Sequence, residues 1–326
     1  MAQNAMCDER DAQSRAGSAT LAKNLLLEQE QMDLVQAFES AGVPVIVLKG
    51  MPLIRRLGLS PAERPLADND FLVRERDLNM AYRVLTGRGY TSPGGRPLEA
   101  DVGVGQHALV RRHKAGAPLV AEIHWRAFAP LLFDVPEDLV WSHTEWQRVG
   151  DTQLRVLDRE LTLLHTAAHF VQHAFGEPRI LRTLGRAWTL WRDAVDLPKL
   201  EALARETGTL AAVDFALAAA AALGYTESAP RFGSLQARVL RRVLPPERLL
   251  EPRPYPDYTR MGLIAVLIAP GRAARSLFMA TFPPPVRMRA IYGELTTFEL
   301  LASYASRPFR PVLRKLGVRP RGARNP

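Results

Sequence analysis

The sequence predicts an α+β protein, a small mixed β-sheet unit followed by an all-helical half. Two observations carry this. Short β-branched runs alternate with helical stretches from about residue 21 to residue 150, and the residues beyond are rich in Ala, Leu and Arg at helical spacing with few strand signals. A third is length: 326 residues suffice for two compact units. The chain is divided on this reading into a loose N-terminus (1–20), a sheet-bearing unit (21–150), a helical unit (151–305) and a basic C-terminal tail (306–326).

The first helix is read from Leu21 to Ala41, where Leu26, Leu27, Leu34, Val35 and Phe38 recur at helical spacing until Gly42 and Pro44 end the pattern. Val43 to Gly50 is a β-branched run closing on glycine, expected as a buried strand. Met51 to Gly58 starts a helix with Pro52 in its first turn, and Leu59 to Pro65 is a loop punctuated by proline. Asp68 to Val73 is the next strand, followed by a helix over Asp77 to Arg88 that Gly87 to Tyr90 closes. Gln106 to Arg112 and Pro118 to Trp125 read as two more strands of the same sheet. Helices are then expected over Asp158 to Trp191, Leu197 to Leu223, Ser234 to Leu244 and Gly262 to Met279, with Pro283, Pro284 and Pro285 breaking the pattern before a last basic helix-like stretch. Internal repeats are lacking.

The net charge of +9 is concentrated at one end. Seven cations and no acid lie between Arg307 and Pro326, which leaves only +2 for the rest of the chain. Such a tail favours polyanions non-specifically, through nucleic acid, acidic peptide or membrane surface, but blocks of like charge more often make a solvated terminus. Nucleic acid is therefore not the favoured partner. The single cysteine, Cys7, excludes an internal disulfide framework and a Cys-rich zinc site. The N-terminus lacks the apolar core of a secretory signal, and the longest apolar windows, Leu210 to Leu223 and Met261 to Pro270, fall short of the ~20 residues needed to span a bilayer. A cytoplasmic protein without a transmembrane segment is expected.

The chemistry centres on Asp68 and Asp70. Two apart on a strand, they leave the same face and share a small volume, where their repulsion favours a bound cation. Hard divalent ions use carboxylate oxygens together with substrate phosphates. Upstream, Lys49 and Gly50 join a buried strand to a helix, a turn whose backbone N–H groups suit a phosphate. Downstream, Glu122 and His124 share one face of a strand, so Glu122 can supply a third carboxylate and His124 can orient it or meet substrate.

With these residues in place, the chain resembles the polymerase-beta-like nucleotidyltransferases, and more closely a bacterial uncharacterised nucleotidyltransferase family with a helical C-terminal half. The resemblance spans most of the chain through VIVLKGMPL (45–53), RPLADNDFLV (64–73), GRGY (87–90), EIHW (122–125), LTLLHTAAHFVQH (161–173) and FPPPVRMRAIYG (282–293). It implies that Asp68, Asp70 and Glu122 form the catalytic and metal-binding set for Mg²⁺ or Mn²⁺, with Glu122 activating an acceptor hydroxyl. It further implies that Lys49, Gly50 and Arg64 meet the phosphates of an NTP such as ATP. Two departures stand out. Asn69 replaces the usual apolar residue between the aspartates, and Glu122 stands where Asp is common. The expected activity is transfer of a nucleoside monophosphate from an NTP to an unidentified small-molecule or peptide acceptor. The alternatives are a sugar-nucleotide glycosyltransferase, which also uses Asp-x-Asp, and a catalytically retired binding protein.

His165, His169 and His173 recur every four residues along one helical stripe. One straight helix usually gives zinc only two such ligands, so His169 is read instead as facing substrate or the other domain. Trp188 and Trp191 are expected in the core. No serine sits in a nucleophile elbow, and Cys7 lies in the loose end, so covalent catalysis is not indicated.

Overall fold

The computed structural model describes residues 2–114, 116–251, 258–293 and 295–307. The first helix, α1, spans Ala2–Ser40, and after it come β1 (Ile46–Val47), α2 (Met51–Arg56), β2 (Asn69–Leu72), α3 (Leu78–Gly87), β3 (Gln106–Arg112), β4 (Pro118–His124), α4 (Glu137–Ser142), β5 (Thr144–Val149) and β6 (Thr152–Leu157). The helical part runs through α5 (Arg159–Gln172), α6 (Pro178–Trp191), α7 (Leu197–Glu206), α8 (Leu210–Ala222), α9 (Leu235–Val243), α10 (Tyr258–Leu267), α11 (Ala273–Thr281), α12 (Pro285–Tyr292) and α13 (Thr297–Ser306). The protein is thus α+β, with a mixed six-stranded sheet in its first half.

The strand order is β3-β4-β2-β1-β6-β5. The β2–β4 and β1–β6 pairs are parallel and the other three antiparallel. Two compact units result: Met1–Gly95, Gln106–Ala127 and Glu137–Asp158 form one, while Arg96–Gly105, Phe128–Pro136 and Arg159–Pro326 form the other.

In the first unit, α1 lays Leu27, Leu34 and Phe38 against the sheet, where Phe38 meets Phe71 of β2 with ring centroids 5.3 Å apart. Each fully buried side chain of this kind contributes roughly 2 kcal/mol. The helix starts at Ala2 where a loose end was expected to residue 20; Ala, Gln, Glu and Arg there favour helix by propensity without making an apolar stripe. The expected closure of α3 holds, because Gly89 at φ 83° turns the chain and the Tyr90 N–H returns to the Leu85 carbonyl.

The sequence reading misses the β5–β6 hairpin. Its signal is Gly150-Asp151, a two-residue turn with Gly150 at φ 59° between the paired Val149 and Thr152. Each long helical stretch also divides at a breaker. Gly176 and Pro178 separate α5 from α6, Gly208 separates α7 from α8, and Pro270-Gly271 separates α10 from α11.

In the second unit α5 is buried along most of its length, and Phe170, Phe175 and Phe215 stack in a row, centroids 5.3 and 5.0 Å apart. Trp188 and Trp191 are buried, as expected. The tail beyond Arg307 lies outside the described residues. Among the described residues no helix is long and apolar enough to cross a membrane.

Candidate active site

β2 and β4 run parallel with Asp70 opposite Glu122 and Leu72 opposite His124. Paired strand positions point the same way, so this register brings both carboxylates to one face. Asp68 immediately precedes β2. Asn69 points oppositely, into α1: its amide donates to the Leu27 carbonyl (3.0 Å) and its oxygen accepts from Gln31 (3.2 Å). The polar residue between the aspartates is therefore buried and satisfied, not a defect in an apolar layer.

β1 supplies the cation. The Leu48 N–H donates to the Asp70 carbonyl, and from the next residue Lys49 Nζ reaches Asp70 Oδ1 at 3.2 Å. The same oxygen accepts from His124 Nε2 at 2.9 Å, while Glu122 Oε2 lies 3.5 Å from that nitrogen. Gln106, paired with His124 across β3–β4, donates to Glu122 Oε2 at 3.1 Å. Ligand atoms of Asp70, Glu122 and His124 all lie within 4.8 Å of one another, a spacing that could hold a metal ion.

The electrostatics follow from burial against charge. Burial alone would lower the Lys49 ammonium, but Asp70, Asp68 and Glu122 outweigh it and raise it above its ordinary value. Burial would also depress His124, yet hydrogen bonds and charge from Asp70 and Glu122 lift the imidazole to about 9, making it a cation at neutral pH. Asp68 is pushed up to about 6, first by burial and then by the Asp70 charge, against the pull of Lys49 and His124. A divalent cation beside Asp68 and Asp70 would reverse that penalty, and the carboxylate oxygens of Asp70 and Glu122 fit Mg²⁺ or Mn²⁺. Asp68, also expected as a ligand, is not in the group whose ligand atoms lie within 4.8 Å of one another.

A pH dependence follows. His124 has a folded value raised from 6.5, so its stabilisation is complete below 6.5 and is lost as pH rises through about 9. In the metal-free protein the melting temperature is expected to fall from neutrality to above pH 9, and His124→Gln should flatten that slope in a calorimetric pH series.

Gly50 caps α2 at φ 76° and ψ −146°, a region nearly restricted to glycine. A Cβ there would also meet Gln31 Nε2 at 3.4 Å. Gly50→Ala is expected to cost about 1–3 kcal/mol in chemical denaturation and to raise the KM for nucleotide more than it lowers kcat.

Arg64 sits on the loop before Asp68, with its carbonyl accepting from Asn24 at 2.8 Å. Asn24 also donates to the Pro61 carbonyl and accepts from the Leu66 N–H, so one buried amide of α1 pins the whole loop. His169 belongs to the second unit, on α5, between the rings of His165 and His173 at 6.2 and 4.5 Å. His124, expected to orient Glu122 or meet substrate, hydrogen-bonds Asp70 and lies beside Glu122. Three supporting residues escaped the sequence reading: Asn24, Gln31 and Gln106. The first two were detectable, since positions 24, 27, 31, 34 and 38 form one buried stripe of α1 that is polar at 24 and 31.

Fold and site together define a class: an α+β protein whose mixed sheet brings acids, a lysine and a glycine turn together. The particular family follows from comparison. Residues 10–224 match the family described as uncharacterised nucleotidyltransferase, and the chain belongs to it. No curated protein and no solved structure matched the chain. Nucleotidyl transfer, and not glycosyl transfer, is therefore the general activity of the class.

Proposed function

We propose that the protein is a metal-dependent nucleotidyltransferase that moves a nucleoside monophosphate from an NTP to a small-molecule or peptide acceptor. The observation that carries this reading is the pairing of Asp70 with Glu122 beside Lys49 at 3.2 Å, next to the Gly50 turn. Asp68, Asp70 and Glu122 would hold Mg²⁺ or Mn²⁺, which when bound neutralises phosphate charge and polarises the phosphoryl oxygens.

The chain's own groups account for the rest. The Gly50 turn admits phosphate oxygens close to the backbone, and Lys49 offsets the charge that spreads over them in the transition state. His124 holds Asp70 and Glu122 in place, and Gln106 donates to the same Glu122 oxygen that lies beside His124. An acceptor oxygen attacks the α-phosphorus, its proton passes to Glu122 Oε1 or Oε2, and the bond from the α-phosphorus to the bridging oxygen breaks to release pyrophosphate. His124 being cationic, Glu122 is the better base of the two.

Calorimetric titration of the four common NTPs with Mg²⁺ or Mn²⁺ tests the reading. Saturable binding that requires the metal is the expected result, and pyrophosphate release then reports candidate acceptors. Equal binding with and without metal, or none with either, would sink it.

A further inference from the structure

The family match ends at residue 224, and the sequence beyond it differs in charge. From Tyr258 to Pro326 there are twelve Lys and Arg against two acids, Glu294 and Glu299, so this stretch carries +10 while everything before it sums to −1. The same region leaves large apolar side chains in solvent. Phe298 and Leu301 of α13 are 80% and 63% exposed and lie three residues apart on one helical face. Phe278 of α11, 60% exposed, contacts Phe282, which in turn lies beside Tyr304 of α13, with centroids 5.3 and 6.3 Å apart. Phe278, Phe282 and Tyr304 thus form a ring cluster that joins the end of α11 to α13, and Leu301, one turn before Tyr304, and Phe298 extend the apolar surface along α13. Arg275 of α11 and Arg289 of α12 are exposed in the same segment.

Contiguous exposed aromatic and aliphatic groups mark a binding surface, and single exposed residues do not. A free polyanion would use the arginines and leave Phe298, Leu301 and Phe278 without purpose. An apolar patch with exposed arginines in the same segment complements a bilayer face with anionic headgroups, where rings enter the interface and each nearby cation adds attraction. We propose that the α11–α13 segment docks the protein peripherally on an anionic lipid surface. This is independent of the nucleotide site.

Vesicle flotation of the full chain tests it, with phosphatidylcholine alone against an equal mixture with phosphatidylglycerol. Binding is expected only with phosphatidylglycerol and should weaken as salt is raised. Phe298→Ser with Leu301→Ser should weaken it about tenfold or more, as should Arg275→Glu with Arg289→Glu. These positions are exposed, and an unchanged circular dichroism spectrum and melting temperature would show that folding is retained. Absent binding to the mixed vesicles, equal binding to both kinds, or indifference to the Phe298/Leu301 change would overturn the proposal. So would a dimer, seen by sedimentation, that this change dissociates while vesicles are not bound, since the patch would then serve a second copy. Retention of a single-stranded oligonucleotide without vesicle binding would assign the charge to nucleic acid and overturn it too.

Discussion

Asp70→Asn and Asp68→Asn should both abolish nucleotidyl transfer, on the order of a thousandfold, yet shift the stability of the metal-free protein in opposite directions. Asp70 Oδ1 receives both Lys49 and His124, so removing its charge leaves two largely buried cations short of their shared partner and should cost about 3 kcal/mol. Asp68 differs. Its carboxyl is pushed from 3.8 up to about 6 by burial and by Asp70, so above pH 6 the folded state holds an ion that the unfolded state carries more easily. Its stabilising protonated form is lost as pH rises through about 6, and at neutral pH the neutral amide should raise stability by about 1–2 kcal/mol after allowance for partial exposure. Pyrophosphate release and urea denaturation on the two variants measure both effects. Two losses of stability, or two gains, would contradict the charge balance described.

The second large effect lies far from any acid. Gly185 of α6 packs so closely on the chain at Tyr225 that an added Cβ would stand 2.6 Å from that residue's carbonyl oxygen and 2.9 Å from its carbonyl carbon. Alanine improves helix propensity by up to about 1 kcal/mol, but the obstacle is backbone, which cannot swing aside as a long side chain can. Overpacking of this kind reaches about 3 kcal/mol, so Gly185→Ala should destabilise by about 2 kcal/mol net. Gly17 serves as the control, because a Cβ there meets nothing within 4 Å and alanine should gain stability or leave it unchanged. Thermal melts of the two variants decide between clash and propensity.

What the sequence disclosed depended on whether the signal was local. β3 runs from Gln106 to Arg112 as its alternation predicts, and β4 ends one residue short of the expected Trp125. The shared face of Glu122 and His124 was legible because strand alternation fixes a face without reference to partners, whereas Asp68 lies before β2 and Lys49 beyond β1, where alternation places nothing. The bond of His124 to Asp70 was not legible, because it arises from the parallel register of β2 with β4, which no single strand encodes. Asn69 looked anomalous for the same reason: its partners are 38 and 42 residues away on α1. The hairpin was lost because Trp146, Arg148 and Arg155 give its strands a mixed surface in place of a clean apolar alternation.

The place of β1 in the sheet bears on the protein's synthesis. Only two residues long, it carries Lys49 and Gly50 at its end and lies between β2 and β6, pairing Val47 with Val156. Every acid proposed for the chemistry has been synthesised by residue 122, yet Val156, the partner of β1 on its other side, comes 34 residues later. Closing so long a loop is entropically slow, and a two-residue strand has little to hold it meanwhile. A released chain truncated before Thr152 should therefore contain every proposed catalytic side chain and still bind no nucleotide, because β1 lacks its second neighbour.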